Sequence, residues 1–223
     1  YAVADTFRDR IDSSISAIKE HFGDKKKIDI KEKNSFVGFD AYKNAIDICD
    51  VVILTTPPGF RPFHFEYAVN SEKHIFMEKP LATDAPGIRR VLKSAKIAKE
   101  KKLNVVVGLQ RRYENKYIAL NNKVISGDIG KIVSGQVYWN DGGVWVNKRT
   151  SSQTELEYQM RNWYYFTWVC GDHILEQHIH NIDVANSAIL TGGLISFLLI
   201  IIVEPSFIFG EPSIFFGETT PFA

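Results

Sequence analysis

The sequence predicts an α/β fold: a truncated parallel sheet with crossover helices, followed by the start of an α+β domain. Three observations carry this. Short apolar, largely β-branched runs at residues 49–54, 74–77 and 104–108 read as buried strands bounded by turn residues. Segments with helical spacing alternate with them through residue 110, the pattern of parallel strands joined by crossovers. Beyond residue 110 the alternation stops.

Taken in order, residues 1–5 (YAVAD) read as the end of a strand. A helix follows from Arg8 to about Phe22, with Ile11, Ile15, Ala17 and Ile18 near helical spacing, and residues 23–27 break it. Residues 36–39 are a weak strand, and Asp40 is placed to cap a short helix at 42–46. The strand at 49–54 ends in Thr-Thr-Pro-Pro-Gly, and residues 62–70 are helical. After the strand at 74–77, a long amphipathic helix spans 84–101, with Pro86 in its first turn and Ile88, Val91, Leu92 and Ala95 as its apolar stripe. Residues 114–125 then look helical, 131–139 alternate like a half-wet strand, 140–160 are polar and loop-like, 163–168 form an aromatic cluster expected in a core, and 172–185 are helical.

Composition narrows the function. The 223 residues are 45% hydrophobic and 24% charged with a formal net charge of +1, so no nucleic-acid partner is expected. Two distant cysteines, Cys49 and Cys170, support neither a disulfide framework nor a zinc ribbon and read as buried thiols. The chain starts at Tyr1, and its methionines are Met77 and Met160, so it reads as a fragment or a processed product. The expected location is the cytoplasm; export would require a signal ahead of Tyr1.

In open parallel sheets, ligands sit at the carboxyl ends of the strands. Those ends carry Asp5, then Thr55, Thr56 and Pro57, then Glu78 and Lys79, then Gln110. In a dinucleotide fold an acid at Asp5 accepts hydrogen bonds from the adenosine ribose and disfavours a 2′-phosphate, which points to NAD; the nearby Arg8 leaves NADP open. The alternative for Asp5 is a turn or helix-cap aspartate. The glycine-rich phosphate turn belongs about twenty residues before such an acid, ahead of Tyr1.

The stretch HIFMEKPLAT places Glu78, Lys79 and Pro80 where an apolar strand stops. Proline has no N–H to continue a ladder, so the lysine stands on rigid backbone at the sheet edge. Beside a cationic ring its ammonium would release a proton more readily, which suits acid–base work on a hydroxyl. A loop salt bridge is the plainer alternative. Further on, Glu176 and His180 are four apart and share a helix face, which Asp172 and Asp183 extend. His178 and His180, two apart, cannot converge on a metal, so no metal site is expected with His173.

EKHIFMEKPLATD, following DVVILTTPP and His64, together with NVVVGLQRRY and GDHILEQHIHNIDVAN, resembles the Gfo/Idh/MocA oxidoreductases (glucose–fructose oxidoreductase, inositol dehydrogenase, rhizopine catabolism) over residues 1–186. The resemblance implies a Rossmann dinucleotide-binding domain at 1–110 lacking its first βα unit, and the start of a C-terminal substrate domain at 111–186. It implies hydride transfer between NAD(P) and a secondary alcohol of a sugar, polyol or derivative. By the same resemblance Lys79 assists proton transfer and Glu78 lies beside the nicotinamide ribose. His180 is the second acid–base or hydroxyl-binding residue. Glu176 stands where many members carry Asp, which weakens the inference for that position. Thr55, Thr56, Pro57, His64 and Gln110 are expected along the cofactor, and Arg111, Arg161, Trp163 and Asp172 along the substrate. Intact relatives are expected to be homo-oligomers.

Residues 187–223 depart from that pattern. Residues 188–203 are mostly apolar but short of a membrane span, and EPSFIFG is followed directly by EPSIFFG. A truncated or frame-shifted reading frame is the expectation, with a membrane anchor or a genuine extension as alternatives. On that reading the chain as it stands is expected to be inactive. A non-catalytic NAD- or sugar-binding relative is the competing function.

Overall fold

The structure, a computed structural model, describes residues 1–23, 29–191 and 214–216. It divides into two units, Tyr1–Gly108 and Leu109–Ala223.

In the first unit β1 (Val3–Asp5) runs into α1 (Arg8–Phe22), β2 (Ser35–Val37) and α2 (Ala41–Asp47). Then come β3 (Val51–Leu54), α3 (Arg61–Asn70), β4 (His74–Met77), α4 (Ala85–Glu100) and β5 (Val105–Val107). The strands form two parallel sheets, β1-β2 and β3-β4-β5, where the sequence suggested one. Among the described residues β1 is hydrogen-bonded to β2 alone, so Asp5 stands on a different ladder from the other strand ends.

The core lies on one face of the three-stranded sheet. Val52, Leu54, Ile75 and Met77 point into it and meet Ile46 of α2, Phe65, Ala68 and Val69 of α3, and Val91 and Ala98 of α4. On the other face Val51 is 61% and Ile53 is 69% exposed. The expectation of fully buried strands therefore fails for half of β3, because α2, α3 and α4 all cover the same side. The stripe of α4 also differs from expectation. Val91, Ser94 and Ala98 are buried, while Ile88 and Leu92 are exposed. Val91 and Ala98 pack into the core with Phe65, Ala68 and Val69 of α3, and Ile88, Leu92 and Ala95 turn outward.

Asp40 stands at the N-cap position of α2, but its carboxylate makes no capping bond and pairs with Lys43 at 2.7 Å. Asp84 does cap α4, accepting from Gly87 N at 2.6 Å, with Pro86 in the first turn.

The second unit contains α5 (Asn115–Ile125), β6 (Gly135–Val137), α6 (Glu155–Arg161) and α7 (Thr167–Cys170). A π-helical turn (Ile174–His178) leads into α8 (Ile179–Thr191). β7 (Ile214–Phe216) pairs antiparallel with β6. Val124, Ile132 and Ala188 form a small core. The aromatic cluster is less buried than expected, with Trp168 52% and Tyr165 47% exposed. Cys49 is half-buried and Cys170 buried. Residues 192–213 and 217–223, which hold most of the apolar run and the EPS repeat, lie outside the described residues. Among the described residues no helix is long and apolar enough to cross a membrane.

Asp84→Ala removes the cap that anchors α4 and is expected to cost about 1 kcal/mol of stability, read from urea unfolding.

Candidate functional site

In the first unit, the backbone ladder runs one step past the ends of the strands. Glu78 N donates to Leu54 O at 3.0 Å, and Gly108 N donates to Met77 O at 2.8 Å. Glu78 is thus held between the ends of β3 and β5. Its carboxylate lies directly over Gly108, where a Cβ would come within 2.6 Å of Glu78 Oε2. Glycine at this position leaves room for the acid. Lys79 follows, half-buried, and the Lys79–Pro80 peptide bond is cis. Pro80 is fully buried.

The loop after β3 comes to the same edge. Thr55 is exposed; Thr56 and Pro57 are half-buried. Thr56 Oγ1 and His64 Nδ1 share a hydrogen bond of 3.0 Å. The His64 ring stacks on Tyr42 with centroids 3.9 Å apart. Burial, and then the neighbouring Arg61 guanidinium, lower its pKa to about 4, so His64 is a neutral strut at physiological pH. Arg61, 2% exposed, donates from Nη1 to Pro80 O and from Nη2 to Thr56 O.

Asp5 ends β1, and its Oδ1 accepts from Phe7 N at 2.8 Å, the geometry of a turn aspartate. Arg8 pairs with Glu32 at 3.1 Å. β5 stops at Val107, and Gln110 lies in an exposed turn near the start of the second unit.

In the second unit Asn181, Tyr117 and Trp139 meet at the buried Arg111. It is 7% exposed, donates to Asn181 Oδ1, and lies over the rings of Tyr117 and Trp139 at 5.2 and 5.4 Å. Asn181 donates in turn to Tyr138 O. The Trp139 and His180 rings are 5.8 Å apart. Arg111 and His180 are therefore brought to one aromatic cluster. Glu176 and His180 are 3% and 6% exposed, buried rather than presented to solvent.

Asp172 departs from the shared face expected of it. It is exposed, has φ 70° and precedes the π-helical turn, whose wider spiral breaks simple four-residue spacing. That turn brings the His173 and His178 rings to 6.2 Å, and burial, with His173 beside it, lowers the His178 pKa. Asp183 holds Arg112 through two oxygens, with a shortest contact of 2.6 Å. These two line a cleft of about 170 Å³ with Tyr117, Asn121 and Ser187. Arg161 is paired with Glu157 at 3.0 Å, and Trp163 packs on Trp145 and Tyr164. Neither contact brings these two into the Arg111 cluster.

Sequence reasoning missed Arg61, Tyr42, Trp139 and Asn181. An arginine in the otherwise apolar GFRPFHF was a usable signal, since arginine is seldom fully buried without partners. The others were marked only by contacts made through folding.

Residues 11–109 match the family model described as an oxidoreductase family with an NAD-binding Rossmann fold, named GFO_IDH_MocA. This stretch of the chain belongs to the Gfo/Idh/MocA family. Inositol 2-dehydrogenase of Salmonella typhimurium is 33% identical over 117 residues, covering 52% of this chain and 33% of that protein. Inositol 2-dehydrogenase of Klebsiella pneumoniae (strain 342) is 39% identical over 90 residues, covering 39% and 25%. The chain thus spans about a third or less of the length of these relatives. In three dimensions it is similar to scyllo-inositol dehydrogenase from Lactobacillus casei with bound NAD(H) and scyllo-inositol. The TM-score is 0.59 at 22% identity, covering 84% of this chain and 47% of that one. That likeness carries the fold: a Rossmann-type parallel sheet followed by the start of a second α/β region.

Two outcomes follow from the geometry. Because His64 resists protonation in the fold, the unfolded chain takes up a proton first as pH falls from about 6.5 to about 4. Stability is therefore fully present above that window and declines within it, by on the order of 3 kcal/mol, and His64→Gln flattens the decline in urea melts taken across that range. Gly108→Ala pushes against the end of a flexible side chain, so it costs under about 1 kcal/mol in the same assay. If Glu78 borders the cofactor, as the resemblance implies, displacing it is expected to weaken NADH binding about fivefold, read by cofactor fluorescence.

Proposed function

We propose that the chain carries the cofactor half, and part of the substrate half, of an NAD-dependent dehydrogenase that oxidises a secondary alcohol of a cyclic polyol. The observation that carries the reading is Lys79. It stands immediately beyond β4 on backbone pinned by the Glu78–Leu54 and Arg61–Pro80 hydrogen bonds. That is the edge of a parallel sheet where ligands bind.

The donor set suits NAD. Glu78 offers a carboxylate to ribose hydroxyls, and Thr55 and Thr56 offer hydroxyls and backbone groups along the adjacent loop. Asp5 keeps carboxylate acceptor capacity beyond its one bond to Phe7 N and is assigned to the adenosine ribose. Bound NAD supplies the acceptor for the hydride that leaves the alcohol carbon. Lys79 is assigned the transfer of the hydroxyl proton as the carbonyl forms, so the electron pair and the proton depart separately. His180 is the acid–base or hydroxyl-binding residue of the second unit, with Glu176 in its helical neighbourhood. Trp139 holds the His180 ring from one side.

The inositol dehydrogenases among the relatives support a polyol as the substrate class. NADH formation with NAD and a panel of polyols, myo-inositol first, tests the reading in an intact homologue carrying the same strand-end lysine, because the chain as it stands is expected to be inactive. Turnover is expected to fall by about 10²–10⁴ in Lys79→Ala with NADH binding retained. Turnover in Lys79→Ala equal to the parent's removes Lys79 from the chemistry. Cofactor binding without turnover on any polyol favours a non-catalytic NAD-binding relative.

A further inference from the structure

Arg61 opens α3, yet its side chain turns back under the sheet edge and is 2% exposed. A cation this deeply buried is expensive unless it is paired and bonded. Its two terminal nitrogens donate to main-chain carbonyls on two different loops: Thr56 O after β3 and Pro80 O after β4. Both loops leave the carboxyl ends of neighbouring parallel strands. One loop carries Thr56, whose hydroxyl holds His64; the other carries Lys79, one residue before the bonded carbonyl.

Only a guanidinium presents two nitrogens in one rigid plane at the separation needed to reach two carbonyls at once. A lysine ammonium is a point donor on a flexible stem. The buried site and the fork thus set the spacing between the two loops. We propose that Arg61 is a positioning residue: it clamps the loops after β3 and β4 together and thereby fixes where the Lys79 amine stands at the cofactor edge. The proposal deepens the dehydrogenase reading above and rests on it for the identity of the reaction. The clamp itself can be tested without turnover.

The experiment uses the full 223-residue chain with Arg61→Lys and Arg61→Gln. Brief acylation with acetic anhydride, resolved by residue in mass spectrometry, gives the labelling rate of Lys79. The exposed Lys93 and Lys96 of α4 serve as internal standards. Releasing the loop exposes the half-buried Lys79, so its rate relative to the standards is expected to rise about threefold in Arg61→Gln and by less in Arg61→Lys. In a parent that turns over myo-inositol, kcat is expected to fall about a hundredfold while the KM for the polyol changes little, with partial rescue by lysine. An unchanged Lys79 ratio in folded variants overturns the proposal, as does a rise shared by all three lysines. Loss of the folded circular-dichroism spectrum in both variants overturns it too, by making Arg61 a strut of the fold with no separable role. A Lys79 ratio that moves, while the Lys79→Ala change leaves turnover in an intact homologue unaltered, sinks the dehydrogenase reading and leaves the clamp standing. An active parent whose ratio does not move does the reverse.

Discussion

The ladder of main-chain hydrogen bonds across β3, β4 and β5 is the constraint from which the rest of the first unit follows. Its strands are only three or four residues long, yet it extends one residue further, through Glu78 N to Leu54 O and Gly108 N to Met77 O. Those two bonds carry sheet geometry into the segment where chemistry is expected. A loop held only by its ends would let Glu78 and Lys79 wander; backbone groups tied on both sides do not. Below the ladder, α2, α3 and α4 bury one face, so the edge rests on a packed base.

The polar devices above that base divide the work. His64 is neutral because burial disfavours its charge, and it serves as a bonded spacer between Thr56 and Tyr42. Arg61 keeps its charge and spends it on two carbonyls. Glu78 needs the empty space over Gly108. The second unit has its own arrangement of the same kind, with Arg111 held by Asn181 between two aromatic faces. In both units a buried guanidinium donates to neutral oxygens: Thr56 O and Pro80 O for Arg61, Asn181 Oδ1 for Arg111.

Much of the fold was legible because β-branched runs and helical spacing are local signals. The strand at 74–77 and the helix bounded by Asp84 and Pro86 lie where the pattern predicts. Patterning was less informative about which face of an element is covered. Of the predicted stripe Val91 does face inward, joined by Ser94 and Ala98, while Ile88, Leu92 and Ala95 are exposed. The same limit explains Val51 and Ile53, which are apolar and exposed. Asp172 was misplaced for a different reason: a π-helical turn changes the spacing on which the face argument depends.

By itself the sequence determined the order of strands and helices in the first unit, the family, and the placing of Glu78, Lys79 and Pro80 at a strand end. These depend on residue types and near-neighbour spacing, which the linear chain displays. Tertiary structure decided that Arg61 reaches Thr56 and Pro80, that Tyr42 covers His64, and that Asn181 and Trp139 flank Arg111 and His180. It also separated β1-β2 from β3-β4-β5 and placed Gln110 in the second unit. Such pairings join residues distant in the chain, and they are chosen by which surfaces come into contact when the chain packs.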